Sequence, residues 1–131
     1  NKVEQNFIGP RANGNDPGAG NRVNNAVYHK SNYALITKNY IAHIHYTGIW
    51  ASSHCDITYN YLYYPAYEPY GDGITYEDSN GDTITIKKNR IEYAEAYGIE
   101  GWGADSSVLI ENNTIRANGQ GNSNPANGGE N

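Results

Sequence analysis

Apolar and polar positions alternate along this chain in short bursts, and the bursts repeat. One six-residue frame, aliphatic, two variable, Asn, one variable, apolar, is written five times: VEQNFI at 3–8, ITKNYI at 36–41, ITYNYL at 57–62, IKKNRI at 86–91 and IENNTI at 110–115. A second frame alternates with it, Gly-Ile at 48–49, 73–74 and 98–99, with Ala26-Val27 as its upstream counterpart. From Val27 through Ile49 and Ile74 to Ile99 the recurrence is about 22 to 25 residues, the range of solenoids and arrays. Helical repeats do not fit. Ile84 and Ile86 alternate with polar neighbours, and the Ile57 to Asn60 to Leu62 spacing leaves no room for an amphipathic helix. Each repeat therefore predicts a short strand, a turn, a second short strand, a loop and a third strand.

The repeated Asn is expected to form the turn, because its short amide bonds to nearby backbone and tolerates the left-handed conformation. Stacked at the strand spacing of about 4.8 Å, Asn6, Asn39, Asn60, Asn89 and Asn113 fall above one another. Each buried amide is then satisfied by the next, which explains Asn in place of Asp or Ser. Aliphatic columns beside the ladder fill the interior.

These features resemble the right-handed parallel β-helix of the pectate-lyase-like superfamily. The expected fold is an all-β solenoid of about five coils, near 3–35, 36–56, 57–85, 86–109 and 110–131, in a single domain 1–131. The segment NFIGPRANGNDPGAGN at 6–21 resembles a loop of long bacterial and archaeal surface β-helix proteins. Arg116-Ala117-Asn118-Gly119 repeats Arg11-Ala12-Asn13-Gly14 at nearly the spacing of Asn113 from Asn6. Val3 enters mid-coil, and the Gly/Asn-rich residues 117–131 read as a loop. The chain is therefore expected to be a segment of a longer solenoid lacking caps, able to self-associate through exposed ends. The resemblance also implies an extracellular or cell-surface location.

Composition narrows the partners. The net charge of −5, with nine scattered Lys and Arg, argues against a nucleic-acid or anionic-membrane surface. No apolar run approaches the length of a membrane-spanning helix. One cysteine and no methionine exclude a disulfide scaffold and a Cys-rich zinc site, and Cys55 reads as a buried thiol. The 13 Tyr against one Phe point to rings whose hydroxyls reach water, as on a ligand-facing surface.

With Val27, Ile49, Ile74 and Ile99 inward, alternation sends Tyr28, Trp50, Thr75 and Glu100 outward, followed by Lys30, Ser52, Glu77 and Trp102. The preceding loops, 9–25, 42–47, 63–72 and 92–97, collect His43, His45, Tyr46, Tyr63, Tyr64, Tyr67, Tyr70, Asp72, Tyr93, Glu95 and Tyr97. In the polysaccharide lyases and epimerases that this fold resembles, the groove lies on the corresponding strand and loops. Aromatic faces beside carboxylates suit sugars. The expected partner is thus a polysaccharide, met by Tyr28, Lys30, Trp50, Trp102 and Tyr97. The opposing reading is that Tyr covers exposed strands through its β-propensity.

Glu77 and Glu100 fall on adjacent coils with backbones about 8 Å apart, which overlaps the carboxylate spacing of an inverting glycosidase. His43, His45 and Tyr70 are further candidates for proton transfer. No cofactor is required, although Asp72, Glu77, Glu95 and Glu100 offer the hard oxygens that calcium prefers. Without calcium this acidic edge repels a polyuronate and favours a neutral glycan. His43 and His45, on one side of an extended strand, form a weak transition-metal pair needing a third ligand such as His29 or His54. Two functions follow: a carbohydrate-active module that binds, cleaves or epimerises a polysaccharide, as a lyase, epimerase or hydrolase, or a non-catalytic surface, adhesin or filament rod.

Overall fold

A computed structural model of the protein describes residues 1–9, 14–30, 33–77, 83–103 and 107–119. In chain order the strands are β1 (Lys2–Glu4), β2 (Phe7–Ile8), β3 (Asn25–His29), β4 (Ala34–Thr37), β5 (Tyr40–Ala42), β6 (Thr47–Ser52) and β7 (Cys55–Thr58). They continue with β8 (Tyr61–Tyr63), β9 (Ile74–Glu77), β10 (Thr83–Lys87), β11 (Arg90–Glu92), β12 (Ile99–Trp102), β13 (Ser107–Glu111) and β14 (Thr114–Arg116). Every third strand joins the same sheet. The sheets run β1-β4-β7-β10-β13, β2-β5-β8-β11-β14 and β3-β6-β9-β12. All pairings are parallel. Among the described residues no helix is long and apolar enough to cross a membrane.

The register stacks like on like. Val3, Ile36, Ile57, Ile86 and Ile110 form one column, and Ile8, Ile41, Leu62, Ile91 and Ile115 a second. The third is Val27, Ile49, Ile74 and Ile99, as the Gly-Ile frame implies. Ile36, Ile41, Ile49, Ile57, Leu62, Ile74, Ile84, Ile86 and Ile91 are fully buried, so the three columns meet in one core. Each such side chain contributes roughly 1.5–3 kcal/mol on leaving water. Cys55 lies in this core, as expected.

The asparagine column is continuous. Nδ2 of Asn6, Asn39, Asn60 and Asn89 donates to Oδ1 of the Asn in the next coil at 3.0, 2.9, 3.0 and 3.1 Å. The backbone N–H of each donates to that same oxygen. The amides of Asn39, Asn60, Asn89 and Asn113 also donate back to the carbonyls of Val3, Ile36, Ile57 and Ile86.

Two expectations are corrected. The left-handed residue is the one before each ladder Asn, namely Gln5, Lys38, Tyr59, Lys88 and Asn112, with φ of 56–57°. That residue makes the turn, and the Asn after it aims both its amide and its backbone N–H at the Asn of the next coil. The coil count also changes, from five to about three turns of solenoid. Asn39, Asn60 and Asn89 are each 2% exposed, whereas Asn6 is exposed and Asn113 half-buried. Ile110 belongs to an inward column yet is 45% exposed, because burial needs a coil on both sides.

A second left-handed corner closes the second sheet, at His43, Tyr64, Tyr93 and Ala117, with Gly9 in the matching place. From it the chain departs into the loops that precede the third sheet. These corners set where the candidate site lies.

Candidate functional site

The outer face of the third sheet carries the expected rows: Tyr28, Trp50, Thr75 and Glu100 in one, Ser52, Glu77 and Trp102 in the other. Tyr28 meets Trp50 edge-on at 5.7 Å between centroids, and Trp50 lies 6.0 Å from Trp102. Lys30 Nζ sits 5.4 Å from the Tyr28 ring, 5.9 Å from the Trp50 ring and 3.6 Å from Glu77 Oε2. Tyr28 and Trp102 remain about half exposed, with relative areas of 54% and 51%.

Beside Trp102 a pocket of about 350 Å³ opens between Tyr46, Pro69, Tyr70, Tyr97, Glu100 and Trp102. The loops before β6, β9 and β12 supply the tyrosines, so loops that differ in length from coil to coil and a regular strand build the site together. Asp72 is almost wholly buried, at 3% exposed. Its Oδ2 accepts from the Thr75 hydroxyl at 2.8 Å, and its Oδ1 from the Tyr97 backbone N–H at 3.1 Å. Burial pushes the Asp72 carboxyl up to about 7, and a hydrogen bond and charge repulsion from Glu100 push the same way. The Thr75 and Tyr97 hydrogen bonds oppose this shift without overcoming it.

The other predicted residues have separate partners. Glu77 lies 3.6 Å from the Lys30 ammonium, and Glu100 is hydrogen-bonded to Asp72. Among the described residues no group of three or more His, Cys, Asp or Glu side chains is placed to hold a metal ion, so Asp72, Glu77, Glu95 and Glu100 are not gathered into one cluster. Burial raises the Glu95 carboxyl.

The histidine pair is also undone. His43 takes φ of 55° directly after β5, so the extended strand ends before the two rings can share a side. His43 Nδ1 lies 2.9 Å from the Tyr67 hydroxyl, while His45 Nε2 lies 2.9 Å from Glu68 Oε1. His29 is next to Cys55 and Asn1, and His54 stacks on Tyr33. Tyr70 is exposed at the pocket rim.

The tyrosines divide into two sets. Tyr46, Tyr70 and Tyr97 line the pocket. Tyr63, Tyr64, Tyr67 and Tyr93 pack on one another and on His43 at the second corner, with Tyr64 and Tyr93 stacked at 4.8 Å. Arg22, held by Asp16, covers the Tyr67 ring at 3.4 Å and fastens the 14–24 segment to this corner. The second set is therefore structural.

Sequence reasoning missed two carboxylate arrangements. Asp72 and Glu100 meet because Glu100 pairs with Thr75, only three residues beyond Asp72. The repeat alignment contained that signal. Glu92, 1% exposed on the second sheet, binds Arg90, Arg116 and the Tyr61 hydroxyl. Burial pushes its carboxyl up, but these partners prevail and hold it below the ordinary value.

A pH test follows from Asp72. Its folded pKa of about 7 lies above the ordinary 3.8, so between those values the native state holds a proton that the unfolded chain has lost. Stability conferred by this group is thus present at low pH and lost as pH rises through about 7. Asp72→Asn is expected to gain on the parent protein in urea unfolding as pH goes from about 4 to about 8. A difference that stays constant over that window would contradict the assignment.

The sequence model of the family described as a right handed beta helix region matches residues 4–122. No curated protein and no solved structure matches the chain.

Proposed function

The chain belongs to the right-handed β-helix family, and from that premise we propose that it is an extracellular polysaccharide-binding module. Its binding face is the outer side of the third sheet, from Tyr28 and Trp50 to the pocket at Trp102. The fold is common among carbohydrate-active proteins, which makes a glycan the natural ligand class to weigh against the residues. The observation that carries the reading is Trp102, half exposed on a strand and forming one wall of a pocket that also holds Glu100 and three tyrosines. An exposed indole gains little from water, yet it packs well on the C–H face of a sugar ring while nearby carboxylate and phenol oxygens take the hydroxyls. Binding is favoured over cleavage because Glu77 and Glu100 are each engaged by another residue.

Trp102→Ala is expected to weaken binding at least tenfold on a glycan array followed by calorimetry. Thermal unfolding should stay cooperative and close to that of the parent, since the side chain lies outside the core. Trp50→Ala should weaken binding as well. If neither substitution alters any glycan interaction, the reading fails.

A further inference from the structure

We propose that the pocket at Trp102 receives an ammonium group, and that the glycan recognised by this face carries free amines. The inference rests on the carbohydrate reading and names its substrate class.

The walls give the first reason. Tyr46, Tyr70, Tyr97 and Trp102 surround the opening, and among the described residues the only charged side chain on the lining is Glu100. Aromatic faces carry negative electrostatic potential and attract cations, most strongly for Trp. A carboxylate among them adds direct charge complementarity and a hydrogen-bond acceptor. An anionic sugar would meet Glu100, with Asp72 hydrogen-bonded to it and no basic lining residue among the described residues in compensation.

The second reason is what the protein does with the same combination elsewhere on the same sheet. Tyr28, Trp50 and Glu77 surround one ammonium, that of Lys30, at 5.4, 5.9 and 3.6 Å. The pocket repeats these ingredients, with aromatic rings and a glutamate, but no lysine or arginine among the described residues lines it. A ligand amine would fill the place that Lys30 fills for its own group.

Protonation supports this reading. The groups facing Asp72 and Glu100 are each other, the Thr75 hydroxyl and the Tyr97 backbone N–H, with the phenols of Tyr46, Tyr70 and Tyr97 on the pocket wall. Below about pH 7 the Asp72 carboxyl is mostly protonated. An ammonium arriving nearby favours the ionised Asp72 carboxylate, so cation binding promotes release of the Asp72 proton to solvent. The pocket's volume of about 350 Å³ is within the range of small-ligand sites.

The test uses three tetrasaccharides in calorimetry at about pH 6, below the ordinary range of an amine: β-linked glucosamine, its N-acetylated form, and the neutral glucose analogue. The glucosamine oligomer is expected to bind at least tenfold tighter than the other two. Glu100→Gln, which keeps a hydrogen-bonding side chain beside Asp72, should remove that preference, so that the three oligomers bind the variant within about twofold of one another. Equal binding of all three by the parent protein would overturn the ammonium inference while the carbohydrate reading stood. So would a preference that survives Glu100→Gln. Absence of binding by these and by every glycan on the array would overturn both.

Discussion

Asn60→Ala is expected to destabilise the protein by about 3 kcal/mol or more in urea unfolding, far beyond the effect of removing an exposed amide. Asn60 is 2% exposed and central in the ladder. Its Oδ1 accepts from the backbone N–H and the amide of Asn39 at 3.0 and 2.9 Å. Its Nδ2 donates to Ile36 O and Asn89 Oδ1 at 2.9 and 3.0 Å. Alanine leaves those groups buried with fewer partners, and each buried polar group left unmade costs roughly 1–3 kcal/mol. Asn60→Asp keeps the acceptor but loses both donors and adds a buried charge facing two oxygens, so it should be nearly as harmful at neutral pH. Asn6→Ala, at an exposed position, should cost less than about 1 kcal/mol. Similar losses for Asn60→Ala and Asn6→Ala would mean that the stacked amides do not act as a buried network.

Gly73→Ala is expected to cost about 2–3 kcal/mol, although it adds a single methyl group. A Cβ at Gly73 would stand 2.5 Å from Ile91 Cγ2 and 2.6 Å from Gly98 O, and one at Gly48 would stand 2.6 Å from Gly73 O. The obstacle is the backbone of the next coil, which cannot move without shifting β9 or β12. This close approach is the physical reason for the Gly in the Gly-Ile frame. Gly20→Ala is the control, since a Cβ there meets nothing within 4 Å. Its unfolding midpoint should barely change, and equal losses at the two positions would remove the steric explanation.

The parts of the fold that were legible in the sequence are those that repeat. Inward Ile49, Ile74 and Ile99, outward Trp50 and Glu100, and the Asn column all follow from period-two alternation within a strand and the recurrence between strands. The corners were less legible. Left-handed conformation falls on Lys38, Tyr59 and Lys88, residues with no intrinsic preference for it, because the Asn that follows each must direct its amide along the column. His43 shows the same limit, since its positive φ depends on the chain leaving the second sheet and separates it from His45. Counting frames also overstates the number of enclosed turns, because a frame is a local pattern and enclosure depends on neighbours. For the site, the rows of side chains were readable, but the loops decided which tyrosines line the pocket. Asp72 and Glu100 were both candidates, and their contact with each other depends on how the chain folds just before β9.

A glycan bound on this face must reach Trp102. The chain has two tryptophans, so their indole N–H resonances in a two-dimensional NMR spectrum can be separated with one substitution. Titration with the glucosamine tetrasaccharide is predicted to move the Trp102 resonance saturably, with a smaller shift at Trp50, whose ring lies 6.0 Å away. Indole resonances that stay fixed throughout the titration, and with every glycan tried, would contradict the account.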